Sequence, residues 1–309
     1  MINKELVEKF HKVIQSSTEI VLDKNEQITH IVICLLAKGH LLIEDEPGVG
    51  KTTLAQTIAK LIGLKQHRIQ FTNDLLPADI IGQMIYDRQT QNFTFKEGPL
   101  FSELIIADEL NRANPKTQSA LLQAMEENEV SVDRITYPLS DVFFLIATQN
   151  PRNQIGTHPL PESQIDRFMM CIHLDFISEE SETQIFLGKN PRSKIKNLSA
   201  ILSPQELALA QNSIKSIHVD QKIASYVAKI LKHTRENHQN FTPLSTRAGL
   251  ALIESCKANA FLENRNFVTP DDLLRVMKPI LSHRLSQQEG LLFGEQQVEK
   301  LLQKYQLPN

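Results

Sequence analysis

The stretch LLIEDEPGVGKTT, Leu41 to Thr53, runs from an apolar segment through a glycine turn to a lysine and two threonines. Backbone N–H groups at the start of a helix cradle phosphate oxygens, and the helix dipole favours an anion there. Gly48 and Gly50 permit close approach of the backbone, Lys51 supplies a point charge, and Thr52 supplies a hydroxyl suited to Mg²⁺. Pro47, Val49 and Thr53 complete the loop. The usual spacing G-x-x-x-x-G-K-[ST] would put its first glycine at position 45, where the chain has Asp45 between Glu44 and Glu46. Main-chain groups hold the phosphates, so carboxylates are tolerable if they point away. Asp45 is expected to turn outward and accept N–H groups of its own turn. The competing reading is a plain glycine turn between strand and helix.

Two later segments favour the phosphate reading. LIIADELNR (104 to 112) is an apolar strand ending in Asp108, placed to hold Mg²⁺, and Glu109, placed to orient or deprotonate an attacking water. A lone Asp-Glu after an apolar run is usually a solvated strand end; its distance from Lys51 leaves room for a strand and helices between them. Asn114 and Pro115 read as N-cap and first residue of the next helix, which leaves the acidic pair at the C-terminal edge where open α/β sheets bind ligands. In FLIATQNP, Asn150 follows another buried strand and offers a neutral group to hold water or sense a terminal phosphate, although Asn-Pro is also a common turn.

Five apolar runs, at 40 to 44, 67 to 71, 104 to 109, 142 to 148 and 168 to 174, are separated by helical patterns, which predicts a mostly parallel sheet covered on both faces. Beyond them the pattern is helical. Ser203, Pro204 and Glu206 form one helix start, and Thr269, Pro270, Asp271 and Asp272 another; Asp220 to His233 and Ser245 to Phe261 read as two more helices. The expected organisation is an αβα core over 1–176 and an all-helical domain over 177–309. A two-residue turn at Asp133-Arg134, between alternating Val130, Val132, Ile135 and Tyr137, suggests a hairpin without the glycine that a type I′ turn favours.

Of 309 residues 41% are hydrophobic, enough for a substantial core. The N-terminal twenty residues lack the apolar centre of a signal peptide, and the longest apolar run, Ile31 to Ala37, is too short to span a bilayer, so a soluble cytoplasmic protein is expected. Cys34, Cys171 and Cys256 are isolated and the ten histidines show no ligand spacing, which indicates no structural metal. A net charge of −3 without a basic tract makes nucleic acid an unlikely partner.

The motifs IEDEPGVGKTTLA, FTNDLLPADIIG, GPLFSELIIADELNRANPKTQSALLQAMEE, FFLIATQNP, LPESQIDRF, STRAGLALIESCKANA and RNFVTPDDL stand in the order and form of the MoxR family of AAA+ ATPases. The chain resembles that family from about Val21 to Arg284. The resemblance implies a five-stranded parallel P-loop core of order 5-1-4-3-2 followed by a small all-α lid, with ATP and Mg²⁺ as ligands and a homo-oligomeric ring, commonly a hexamer. It implies that Arg167, in DRF, is an arginine finger reaching a neighbouring subunit, and that Arg247, in STRAG, is the sensor 2 arginine. FTFKEGPLF resembles the helix 2 insertion and EVSVDRITYPL the hairpin before sensor 1, both facing a central pore. At VLDKNEQ the chain departs from the family, which has a glycine after two apolar residues, so the backbone of the adenine pocket near Val21 and Leu22 is open to question.

The function expected is ATP hydrolysis coupled to chaperone-like remodelling, assembly or metal-cofactor maturation of a partner, the resemblance pointing to a protein with a von Willebrand A domain. Two other classes stay open: a nucleic-acid motor of the helix 2 insert branch, disfavoured by the charge, and a slow ATP-gated switch, disfavoured by Glu109. No NKxD-type motif for reading guanine is present.

Overall fold

The structure, a computed structural model, describes residues 2–45, 48–89, 91–150, 156–286 and 289–307; Glu46 and Pro47 lie outside the described residues. Two helices, α1 (Lys4–Thr18) and α2 (Asn25–Leu36), precede β1 (Leu41–Glu44), α3 (Lys51–Ile62), β2 (Gln66–Gln70) and α4 (Pro77–Ile81). A hairpin of β3 (Gly82–Asp87) and β4 (Asn92–Glu97) leads to β5 (Leu104–Asp108) and α5 (Pro115–Glu127). A second hairpin, β6 (Glu129–Val132) and β7 (Ile135–Pro138), leads to β8 (Phe144–Gln149), α6 (Glu162–Ile165) and β9 (Met170–Ile172). Then come α7 (Glu179–Phe186), a 3₁₀ segment (Pro191–Asn197), α8 (Pro204–Ile214), α9 (Gln221–Glu236), α10 (Thr246–Leu262), α11 (Pro270–Leu285) and α12 (Leu291–Lys304).

The central sheet has the order β2-β5-β8-β1-β9 and all its neighbours are parallel. Counting only its own five strands, this is 5-1-4-3-2, as the resemblance implies. β1, β5, β8 and β9 are buried along their whole length, as a parallel sheet covered on both faces requires. Their side chains alternate between two cores. Leu41, Ile43, Leu104, Ile106, Phe144, Ile146 and Met170 join the cluster that holds α1, α2, α3 and the C-terminal helices. Leu42, Ile105, Ala107, Leu145, Ala147 and Cys171 face the smaller cluster with α4 and α5.

After Ile172 the described residues contribute no strand to any sheet, only a bridge between His218 and Phe267. The helix starts fall where the sequence places them. Asn114 accepts from the N–H groups of Lys116 and Thr117, Ser203 and Glu206 cap each other, and Ser245 accepts from Ala248. The hairpin turn forms without glycine: Asp133 and Arg134 take φ of 49° and 70°, the left-handed pair that a type I′ turn needs. FTFKEGPLF supplies β4 of the first hairpin. Among the described residues no helix is long and apolar enough to cross a membrane.

A buried arginine and a half-buried histidine tie the layers together. Arg284, near the end of α11, donates through Nε to Asp166 Oδ1 at 2.7 Å and through its terminal nitrogens to the carbonyls of Asp166, Phe168 and Met169 at 2.8 to 3.2 Å. The C-terminal helices thereby hold the DRF segment through its carbonyls. His40, just before β1, accepts the Leu145 N–H at Nδ1, which leaves its Nε2–H to donate to the Met125 carbonyl at 3.2 Å. This bonding needs the neutral ring. Burial pushes the His40 pKa down to about 4, against a smaller opposing effect of the Met125 carbonyl.

The unfolded chain therefore binds a proton at His40 that the folded chain refuses, so stability falls as pH drops from the free-histidine value near 6.5 toward 4. His40 alone should remove about 3 kcal/mol over that window. Denaturant unfolding at a series of pH values checks this, with His40→Gln expected to have a shallower acid slope than the parent. Equal slopes would mean that His40 takes up its proton over the same range in the folded and unfolded states, and that other groups carry the acid effect.

Candidate nucleotide-binding site

The parallel register brings the C-terminal ends of β1, β5 and β8 to one edge: Glu44 lies beside Gln149 and Ala107 beside Ala147. The turn after β1 meets the N-terminus of α3 at that edge, with Gly48 and Gly50 at φ of 94° and 98°. Those angles suit glycine and disfavour any side chain. The loop opens onto a cleft of about 320 Å³ lined by Gly48, Gly50, Lys51, Thr52, Thr53, Asp108, Glu109, Thr148 and Asn150. Every described residue expected at the phosphate loop, the acidic pair and the strand-end asparagine lines it, except Val49, which is buried under the neighbouring pocket.

The carboxylates that open the loop answer to neighbouring strands. Glu44 accepts from the Gln149 side chain, 2.5 Å away, at the end of β8. Asp45 is buried, and its Oδ2 accepts the N–H groups of Leu174 and Asp175, at 2.5 and 3.0 Å, just past β9. The expectation that Asp45 turns outward onto its own turn is thus wrong; the unpaired N–H groups beyond the edge strand offer a better site for a buried carboxylate than water does. Its carbonyl accepts from Lys51 Nζ at 2.6 Å.

On the other side of the cleft, Asp108 holds three partners. Arg68 Nε lies 2.5 Å and Thr52 Oγ1 3.4 Å from its Oδ2, and Thr148 Oγ1 lies 3.3 Å from its Oδ1. Glu109 takes a left-handed backbone with φ of 56°, its N–H donating to Thr148 Oγ1 at 3.0 Å. Its carboxylate accepts from Asn150 Nδ2 at 3.2 Å and from Gln70 Nε2 at 2.8 Å, and Arg112 stands 3.4 Å away. Arg68 and Gln70, two apart on β2, therefore restrain the two acids from the edge strand. Sequence reading missed both, although HRIQF presents them on one face of a strand beside the acidic one. The donor set of hydroxyl and carboxylate oxygen fits Mg²⁺, a hard cation.

A second cavity, of about 240 Å³, adjoins the loop between Ile20, Val21 and Leu22 on one side and Phe176, Ile177 and Ile185 on the other. Its apolar walls and its place beside the phosphate loop suit a purine. Just after Val21 and Leu22, Asp23 takes φ of 60°, a conformation that aspartate tolerates better than most residues. Its carboxylate accepts both the N–H and the hydroxyl of Ser178, at 2.8 and 2.9 Å, and the Ser178 N–H is the main cause of its lowered pKa. Lys24 donates to the Phe176 carbonyl at 3.0 Å. The pocket walls near Val21 and Leu22 are thus tied across the opening.

Arg167 and Arg247 stand elsewhere. Arg167 pairs with Glu126 at 3.1 Å, not with Asp166. Arg247 pairs with the other oxygen of Glu126 and lies 3.6 Å from Asp166 Oδ2. The cation in the first turn of α10 thus finds its anions in two carboxylates of its own chain, so its position there does not by itself call for a phosphate. Neither arginine lines the cleft.

Residues 40–170 match the model of the ATPase family associated with various cellular activities, and residues 232–302 match that of the AAA lid domain. The chain is 36% identical over 293 residues to YeaC of Bacillus subtilis, covering 95% of the chain and 92% of that protein. It is 36% identical over 277 residues to Chaperone MoxR1 of Mycobacterium tuberculosis, covering 86% and 72%. The crystal structure of a protein from Cytophaga hutchinsonii, assigned provisionally as an ATPase, matches with a TM-score of 0.85 and 36% identity over 99% of this chain and 96% of that one. Motifs, sheet order, helical lid and relatives agree: the chain belongs to the MoxR family of AAA+ ATPases, and its reaction is the hydrolysis of ATP.

Proposed function

We propose that this ATPase works as a ring, a hexamer in our reading, whose catalytic sites are each completed by the next subunit, and that it remodels a protein partner in a chaperone-like way. The observation that carries this reading is the pairing of Arg167 and Arg247 through Glu126, outside the cleft of their own chain. A guanidinium that stabilises charge on the γ-phosphate must reach the cleft. These two stand together, partly exposed, and can enter the cleft of a neighbour in a head-to-tail contact.

Within the chain's own cleft, the N–H groups from Gly48 to Thr53 and the Lys51 ammonium bind the phosphates. Thr52 and Asp108 would hold Mg²⁺, which when bound would neutralise charge on the triphosphate. Glu109 takes a proton from the attacking water, and Asn150, hydrogen-bonded to it, sets its direction. Arg68 must yield Asp108, and Gln70 must yield Glu109, before either acid serves the nucleotide. The core over 1–176 and the lid over 177–309 are the moving parts of this scheme, with a cytoplasmic location assumed.

Tyr86 and Phe93 on the first hairpin and Ile135 on the second are large, exposed and apolar, which favours a protein partner over nucleic acid. The family resemblance suggests a von Willebrand A domain protein, with assembly or metal-cofactor maturation as the outcome.

Arg167→Ala and Arg247→Ala should keep nucleotide affinity while Arg167→Ala lowers turnover on the order of 10³-fold or more. Wild-type rate per chain should climb with protein concentration. A rate independent of concentration, or loss of nucleotide binding by either variant, would refute the shared site. For the partner, Glu109→Gln should slow hydrolysis roughly 10²- to 10⁴-fold while retaining ATP. Capture from the native cell should then enrich a von Willebrand A domain protein with Glu109→Gln and not with Lys51→Ala, which cannot hold the triphosphate. Enrichment of nucleic acid, or equal capture by both, would reject the adaptor reading.

A further inference from the structure

The 3₁₀ segment Pro191–Asn197 is bolted to α3, the helix that begins at the phosphate loop. Lys60, in the last turn of α3, donates to the Ile195 carbonyl at 2.9 Å and reaches that of Lys196 at 3.4 Å, and the Ile201 N–H donates to the Leu61 carbonyl at 2.7 Å. At the segment's other end Asn190 Oδ1 accepts the Arg192 N–H at 3.0 Å, and Ser193 Oγ donates to the Asn190 carbonyl at 3.0 Å. Arg192 therefore projects from a base that is fixed relative to the loop.

Its guanidinium reaches the seam between the two cavities. Arg192 lines both the phosphate cleft and the apolar pocket, and its Nη2 lies 3.9 Å from where a Cβ on Gly50 would stand. Among the described residues no carboxylate lies within ion-pairing distance of it, whereas Arg68, Arg167, Arg247 and Arg284 each have one. Arg192 thus stands by the positive end of α3, lining the same cleft as Lys51, with no carboxylate among the described residues to balance it. The group that fits such a place is a phosphate bound by the loop, and the planar fork of a guanidinium suits it.

We propose that Arg192 contacts the nucleotide of its own subunit at the junction between adenosine and phosphates, on the α- and β-phosphates. This rests on the reading of the cleft as the ATP site and adds a residue to it. The contact lies on the adenosine side of the loop, so it serves ADP as well as ATP. Occupancy of the site then bears on the segment leading through Leu202 to α8, which gives the C-terminal helices a direct report of bound nucleotide within the same chain. Arg247, held by Glu126 away from the cleft, leaves that task open.

The test is calorimetric titration of the full-length protein with ADP and with a non-hydrolysable ATP analogue, comparing wild type, Arg192→Ala and Arg192→Lys. Arg192→Ala should weaken both ligands about ten- to a hundredfold, the range of one charge-assisted hydrogen bond or bidentate pair, and Arg192→Lys should recover part of the loss. The unfolding temperature without nucleotide should be the same in all three, since the Arg192 side chain is exposed. Wild-type affinity for both ligands in Arg192→Ala would overturn the proposal while leaving the site intact. A loss confined to the ATP analogue would overturn the assignment to the α- and β-phosphates. Failure of the wild type to bind either ligand would remove the ATP site itself, and the proposal with it.

Discussion

Asp108, Glu109, Thr148 and Asn150, and the loop that leads to Lys51 and Thr52, stand at the C-terminal ends of buried parallel strands, and the register of β1, β5 and β8 brings those ends together. The constraint is strict. A shift of one residue in any of these strands would exchange the two cores, turning Ile43 or Ile106 toward the face that Leu42 and Ile105 occupy. The pattern that buries the sheet is therefore also what delivers Asp108, Glu109 and Asn150 to the loop. Asp45 extends the constraint to β9, since its carboxylate binds the two N–H groups just beyond that strand. The loop is tied on both sides: to β8 through Glu44 and Gln149, and to β9 through Asp45.

Much of this was legible in the sequence because it depends on local pattern. Strands buried on both faces read as apolar runs, and Asn114, Ser203 and Ser245 announce their helices by spacing alone. The strand order needed the family resemblance. What escaped reading depends on residues distant in sequence. Asp45 was assigned to its own turn because a sequence does not reveal which N–H groups lie opposite, and these lie 129 and 130 residues on. Arg284 gives no sign in its own helix that it holds the carbonyls around Phe168. Asp23 was legible as a departure from the family's glycine but not as the left-handed residue whose carboxylate binds Ser178.

The arginines divide by the partners the fold gives them. Arg68 is held by Asp108, within the cleft; Arg167 and Arg247 share Glu126, outside it; Arg284 is buried beneath the segment that carries Arg167. Asp166 joins the last two groups, since Arg284, Arg247 and Ser245 all meet its carboxylate. The lid helices thus set the position of the DRF turn through buried hydrogen bonds, and a movement of α11 would carry Arg167 with it. In the ring proposed above, that linkage would couple the state of one subunit's lid to the site of the next.

The central claim, that each site draws on two subunits, is tested most directly by mixing Lys51→Ala with Arg167→Ala, each inactive alone, in rings whose mixed composition is established by co-purification of differently tagged chains. The Lys51→Ala chain keeps its arginine and the Arg167→Ala chain keeps its loop. Random pairing of equal amounts in a head-to-tail ring makes about one site in four whole, so ATP turnover should recover toward a quarter of the wild-type rate. A mixture that stays at the sum of the two residual rates, with mixed rings present, would contradict the account.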